Sequence, residues 1–420
     1  MKEVRINTVA FSFIGLFPYE EEKVRGHRIS PDYEPLNIYA ENKNYFDQKY
    51  YSNWIQSFFR DALRQNKTPT NLKLKASSAL FQKELKIEVE GQNDITFKIR
   101  EIDLFFFEAS LGIFVIKVDL PKVHSNWKDL VRFGAYFRKS TINEKYQNHN
   151  LSIEIIEEYI SSRFHSERTA WRQYNPLLKS AIFIDVAEDI DNALMSHLLY
   201  HVGTFSLPFD EGNIFSPDPQ YQQKIVDENA ISPFLNWKAL CLYDSVSRIA
   251  VNLNDKDAHK LWENEYILIY VYVLYTRYFL HYTNNQLTQI FQNSKLVEDQ
   301  RNKFYNFKNQ FNHAKISYKF LPNIIYEKLR SSLDIKVELD IIEEKLTRVN
   351  VLRQEKYQSR VNSILFLLTV LTLISVAYDG GEMLEHCFEG LESLDISMFI
   401  ITFCSLIMIL LFYTNIFKRK

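Results

Sequence analysis

"VNSILFLLTVLTLISVAYDGG", residues 361–381, carries no charge until Asp379 and then meets two adjacent glycines. A bilayer demands roughly 20 consecutive apolar residues from a helix, and this run just reaches that length. A second uncharged run, "ISMFIITFCSLIMILLFYTNIF", occupies residues 396–417. Between them, residues 379–395 hold Asp379, Glu382, Glu385, Glu389, Glu392 and Asp395 and neither Lys nor Arg. The pattern predicts two membrane-spanning helices joined by an acidic loop.

Flanking charge orients the pair. Arg348, Arg353, Lys356 and Arg360 precede the first run, and Lys418, Arg419 and Lys420 follow the second. Basic residues stay on the cytoplasmic side, so both ends are expected in the cytoplasm and the acidic loop outside, as in a bacterial-type inner membrane.

Working backward from the first run, no Pro or Gly occurs between Pro322 and Gly380. A continuous helix over that stretch would measure about 85 Å at 1.5 Å per residue. Leu339, Ile342, Leu346 and Val349 recur at 3 and 4 spacing, the seam of a short coiled coil. The same register brings Arg353, Lys356 and Arg360 to one face at the inner mouth. Within the apolar run it aligns Asn362, Leu365, Thr369, Thr372, Val376 and Asp379. A stripe of amide and hydroxyl groups on a membrane helix faces something other than lipid. Helix packing, with each hydroxyl bonded to its own backbone, is one answer. If several copies surround an axis, the stripe instead lines a pore whose oxygens face a cation. Asp379, Glu382, Glu385 and Glu389 would then ring the outer mouth and concentrate cations there. Oxygen ligands suit a hard ion, Mg²⁺ or another divalent cation, without choosing between them.

Composition bounds the remainder. With a formal charge of -2 overall, and acids and bases of the C-terminal region set aside, the first 360 residues are close to neutral, which argues against nucleic acid as a partner. Three cysteines, Cys241, Cys387 and Cys404, are too few and too scattered for a disulfide scaffold or a cysteine-based zinc site. The N-terminal apolar stretch is cut by Pro18 and reads as a strand, not as a signal peptide. Residues 85–120 alternate and turn twice, at "GQND" and "EASLG", which predicts a three-stranded meander. "AIFIDV" at 181–186 adds a strand, and helical patterns are expected from about Ser232 onward. "YILIYVYVLYTRYFL", residues 266–280, is broken by Arg277 and reads as a buried element instead of a third span.

These features predict an α+β cytosolic domain (1–231), a helical region (232–322), a stalk helix continuing into the first span (323–378), the acidic loop (379–395), the second span (396–417) and a basic tail (418–420). Nucleotide-binding loops, zinc-protease helices and nucleophile elbows are missing from the sequence, which favours a non-enzyme. His197 and His201, four apart near Glu188, Asp189 and Asp191, have metal-ligand spacing but no third ligand set by spacing, so a structural role is expected. In "SSRFHSERTAWRQY", Arg163, Arg168 and Arg172 surround Trp171, a combination able to grip a phosphate and stack a base, or simply to form a solvated face.

The layout resembles the CorA family of divalent-cation channels: a large cytosolic α/β domain, a long stalk helix entering the first of two C-terminal spans, a short outer loop and a basic tail. The family's hallmark at the outer end of the first span is Tyr-Gly-Met-Asn. Here that position reads Tyr378, Asp379, Gly380, Gly381, so the Tyr is retained and the Asn is replaced by Gly381. The resemblance implies a homo-pentamer whose first span lines the pore and whose second faces lipid. Some CorA-like proteins with a degenerate motif accompany type III CRISPR systems and are opened by a nucleotide second messenger. The expected function is therefore a cation channel gated through its cytosolic domain, in antiviral defence. The alternatives are a housekeeping magnesium transporter and a membrane-anchored binding protein or enzyme with no pore.

Overall fold

The computed structural model describes residues 4–24, 31–36, 51, 71–87, 94–107, 110–120, 126–139, 151–187, 189–207, 217–253, 258–290, 294–387 and 403. The chain divides into two compact units, Met1–Asp340 and Ile341–Lys420.

The first unit is mixed α+β, built on a 10-stranded sheet. Its strands are β1 (Ile6–Pro18), β2 (Tyr33–Pro35), β3 (Asn71–Leu74), β4 (Leu85–Ile87), β5 (Ile95–Phe107), β6 (Leu111–Asp119), β7 (Lys179–Val186), β8 (Ala230–Phe234), β9 (Trp237–Cys241) and β10 (Ser245–Val251). The order is β2-β3-β5-β6-β1-β7-β10-β9-β8, with β4 paired to β5 alone. Every pairing is antiparallel except β10 with β7. The expected meander is β4, β5 and β6, and the N-terminal apolar stretch is the central strand β1.

Central strands are buried on both faces, which is why β1 reads as a nearly continuous apolar run. Its odd-numbered side chains, Val9, Phe11, Phe13 and Phe17, enter one core. There they meet helix α1 (Trp127–Phe137): Phe133 stands edge-on to Phe11 and Phe13, and Phe137 lies 4.2 Å from Phe13. Helix α2 (Asn192–Thr204) ends at Phe205, whose positive φ of 53° turns the ring back over α1. A Cβ on Gly134 would fall 1.8 Å from that ring, so only glycine fits the crossing.

On the other side of the sheet lies α4 (Ile267–Ile290), following α3 (Pro219–Asn229) and the three strands β8 to β10. Phe107 of β5 stacks on Tyr275 at 3.9 Å. The stretch 266–280 is thus a buried helix of the folded unit, with Ile267 to Thr276 all buried. Helix α5 (Ser294–Phe311) packs on it through Phe307, 3.8 Å from Phe279, and α6 (Phe320–Ser332) through Tyr326.

Two expectations need correction. Residues 232–322 are not helical throughout, because β8, β9 and β10 belong to the sheet and β10 joins β7 as its parallel neighbour. Nor is there one helix from Pro322 to Gly380. The chain breaks after α6, where Asp334 adopts φ 53°, and a new helix, α7, runs Ile335–Cys387, 53 residues. That helix passes through Gly380 and Gly381, which therefore do not end it.

The second unit consists, in its described residues, of α7 from Ile341 onward and Phe403. Leu339, Ile342, Leu346 and Val349 are all buried, so the 3–4 seam is real as a helix face. From Ile364 to Val376 most apolar side chains are exposed, Leu367 61% and Val376 65% accessible, with Phe366 and Val370 half-buried. Among the described residues, α7 is the one helix long and apolar enough to cross a membrane, with a best-window mean hydropathy of 1.8 and none of that window buried. The second apolar run, 396–417, lies outside the described residues apart from the exposed Phe403.

Candidate functional site

Helical spacing places Asn362, Leu365, Thr369, Thr372, Val376 and Asp379 along one face of α7, and all six are exposed in the single chain. Each threonine hydroxyl donates back into the helix: Thr369 Oγ1 to the Leu365 carbonyl at 2.8 Å, and Thr372 Oγ1 to the Thr369 carbonyl at 2.9 Å. Ser363 does the same to Ser359 at 2.8 Å. Back-bonding spends the hydroxyl proton and leaves the oxygen lone pairs pointing outward as acceptors. The two threonines thus offer oxygen and no free donor, the polarity a cation requires, whereas Asn362 presents both an amide oxygen and an amide donor. Helix packing in lipid uses the same geometry, so the hydroxyls alone do not choose.

Tyr378 and Asp379 are exposed at the C-terminal end of the apolar run. Because α7 continues to Cys387, Gly380, Gly381, Glu382 and Glu385 lie on its last two turns. Glu389, Glu392 and Asp395 lie outside the described residues, as do Lys418, Arg419 and Lys420. At the other end of the run, Lys356 and Arg360 are exposed and Arg353 is half-buried.

In the folded chain the arginines of the cluster are ion-paired and its tryptophan is buried. Trp171 is fully buried and stands edge-on to Phe114, with no face left for a base. Arg172 donates its Nε to Glu157 at 2.9 Å, and Arg168 Nε lies 3.3 Å from the same carboxylate. Arg163 pairs with Asp32 at 3.3 Å. A π-helical turn, Ile156–Ser161, carries Glu157 into this position. The cations are committed to carboxylates from elsewhere in the fold, which the local sequence did not disclose.

His197 and His201 meet edge to face on α2, with ring centroids 4.4 Å apart. Burial pushes both imidazoles below their usual range, and His201 Nδ1 lies 2.5 Å from the Ser206 carbonyl. Asp191 caps α2 through the Leu194 amide, and Asp189 accepts from Asn252. Among the described residues, no group of three or more His, Cys, Asp or Glu is arranged to hold a metal ion.

One constellation has no counterpart in the sequence reasoning. Lys117 of β6, only 7% exposed at its side chain, lies 2.7 Å from Glu101 and 2.8 Å from Asp103, both on β5. Burial opposes the ammonium, but Asp103 and Glu101 outweigh it and hold the pKa above its usual value. Arg100 bridges Asp119 and Glu263, the latter carried on a second π-helical turn, Trp262–Tyr266. Arg100, Glu101, Asp103, Lys117 and Glu263 line a cavity of about 300 Å³ between sheet and α4. Lys117 and Arg100 each already have two carboxylates, so the network locks β5, β6 and the π turn together. Compared with protein-family models, with curated proteins and with solved structures, the chain finds no match in any of the three.

Proposed function

We propose that the chain is the subunit of an oligomeric, CorA-like cation channel, a homo-pentamer, with α7 lining the path and the folded unit in the cytoplasm. The observation that carries this reading is the exposed oxygen stripe of Asn362, Thr369 and Thr372 on a 53-residue helix whose apolar run is unburied. A single chain cannot enclose a path with this helix. Several copies around an axis would turn the stripe inward and give each polar group a neighbour other than lipid. Residues 396–417 would form the outer, lipid-facing span, and both termini would be cytoplasmic. The cargo is a divalent cation, Mg²⁺ or another, and the family resemblance extends the proposal to opening by a small nucleotide in antiviral defence.

A second reading is a membrane-anchored binding protein with no pore. The back-bonding of Thr369 and Thr372 favours it, since hydroxyls satisfied within their own helix need no water-filled lumen. Mass measurement in detergent followed by cation flux from liposomes separates the two. The channel reading expects an oligomer that passes cations. A monomer, or an oligomer that passes none under any condition, overturns it in favour of the anchor.

A further inference from the structure

A cavity of about 690 Å³ opens in the first unit where one end of the sheet meets α4. Strand ends and turns supply one wall through Tyr174, Lys179, Tyr243 and Asp244, and α4 supplies the other through Arg277, Tyr278 and Tyr282. The volume lies in the range of small-molecule sites. Its chemistry is aromatic and cationic. Lys179 Nζ sits 3.9 Å above the Tyr243 ring and donates to the Tyr243 carbonyl at 3.0 Å, while the Arg277 guanidinium lies 6.0 Å from the same ring. The carboxylate in the lining, Asp244, is held by Arg138 at 2.7 Å. The lining therefore sets two cations, Lys179 and Arg277, against one carboxylate that Arg138 also holds.

Arg277 is incompletely used. Its Nη1 lies 2.9 Å from Glu338 Oε1, yet neither Nη1 nor Nε makes a hydrogen bond, and Glu338 Oε2 makes none either. Buried guanidinium donors left without acceptors are costly. An anion in the cavity that Arg277 lines would meet the charge of the guanidinium and not these enclosed atoms. Burial also pushes Lys179 down to about 8, a cost that a bound anion would likewise offset. Glu338 stands in the first turn of α7.

We propose that this cavity binds a small anion carried on a flat ring, such as an aromatic phosphate, with Lys179 and Arg277 on the anion, Tyr243 and Tyr282 beside the ring, and Arg277 shared between ligand and Glu338. Occupancy and the Arg277–Glu338 pair then compete, so the ligand loosens the grip on the first turn of α7. Binding stands without the channel; its use as a gate rests on that reading.

Isothermal titration of the full chain in detergent tests it, with 1-naphthyl phosphate and AMP as probes and 1-naphthol and inorganic phosphate as their separate halves. One saturable site per chain is expected for at least one probe, with each half weaker by about tenfold or more. Arg277→Gln and Lys179→Met should each weaken binding about tenfold, and Glu338→Gln should tighten it about fivefold by removing the competitor. Glu338→Gln keeps the test decisive if the other variants misfold, because it acts in the opposite direction. Absence of saturable binding by both probes overturns the site, and unchanged affinity in Glu338→Gln overturns the sharing. Flux without binding overturns this proposal alone, whereas binding without flux overturns the channel and leaves the site.

Discussion

The side-chain amide of Asn175 pairs with the backbone of Leu16 as a neighbouring strand would: its Oδ1 accepts from the Leu16 amide at 2.7 Å and its Nδ2 donates to the Leu16 carbonyl at 2.7 Å. Nδ2 also donates to the Trp171 carbonyl at 2.7 Å, and the residue is buried. Leu16 lies beyond the last β7 partner of β1, so the amide extends the ladder by one step. Asn175→Leu would leave three buried backbone groups without this partner. At about 1–3 kcal/mol for each buried group left unsatisfied, a loss of about 3 kcal/mol or more is expected. Asn175→Asp keeps the acceptor but sets a carboxylate oxygen against the two carbonyls that Nδ2 served, in a buried place, and should lose at least as much. Urea unfolding of the two variants checks the order, and equal stability of Asn175→Leu and the parent would refute the role.

The arginine cluster provides an internal contrast. Arg172 serves Glu157, whose side chain is 12% exposed, whereas Arg163 and Asp32 are 42% and 46% exposed. Removing Arg172 strands a largely buried carboxylate, and Arg172→Met is expected to cost about 2 kcal/mol, with Arg168 covering part of the loss. Arg163→Met should change stability by less than about 0.5 kcal/mol, because exposed pairs are screened. If these arginines instead gripped a ligand, both substitutions would lower ligand binding and neither would lower stability. Thermal unfolding in ligand-free buffer distinguishes the cases.

Lys179 gives the folded unit a pH signature. Its pKa sits near 8, below the ordinary 10.5, because burial penalises the ammonium; Asp244 opposes that shift, and Arg277 and Arg138 reinforce it. Tyr243 supplies the remaining contact, through its ring and carbonyl. A depressed lysine pKa means that the unfolded chain binds the proton more tightly. The burial cost is therefore fully present below pH 8 and relieved as pH rises toward 10.5. Lys179→Met should raise the Tm at pH 7 relative to the parent, and the advantage should shrink by pH 10. A Tm difference that is the same at both pH values would show that the ammonium carries no such penalty.

Period-two alternation and apolar runs disclosed β1 and the meander, since strands paired on both sides must place apolar groups on both faces. The run 266–280 was legible as buried because its length and Arg277 exclude a bilayer. Strands β8 to β10 were not legible: "ISPFLNWKALCLYDSVSRIAV" mixes Ser, Arg and Lys into short segments, and Ser245, Ser247 and Arg248 are buried by the sheet and not by local pattern. The break at Asp334 has no Gly or Pro to announce it, because an aspartate occupies the left-handed conformation. The stripe on α7 needed nothing beyond helical spacing. By contrast, Arg100 meets Glu263 across 163 residues, a partnership that only the sheet order and a π turn create.

The stripe itself yields the sharpest separation between pore and anchor. Thr369 and Thr372 donate to carbonyls of α7, so replacing each hydroxyl by a methyl removes an outward oxygen while keeping a β-branched side chain of nearly the same shape. Thr369→Val and Thr372→Val should leave oligomer mass and Tm essentially unchanged, because the lost bond is local and weak. In a pore, each removes a ring of oxygens from the path of a partly hydrated cation, and flux should fall by about tenfold in the double variant. Asp379→Asn acts through field instead of ligation. Its effect on flux should be large at low ionic strength and fade near 1 M salt, where the Debye length is only about 3 Å. Liposome flux at two salt concentrations reads both effects. If the double valine variant conducts as the parent does, the hydroxyls serve helix packing, and the path, should one exist, runs along another face.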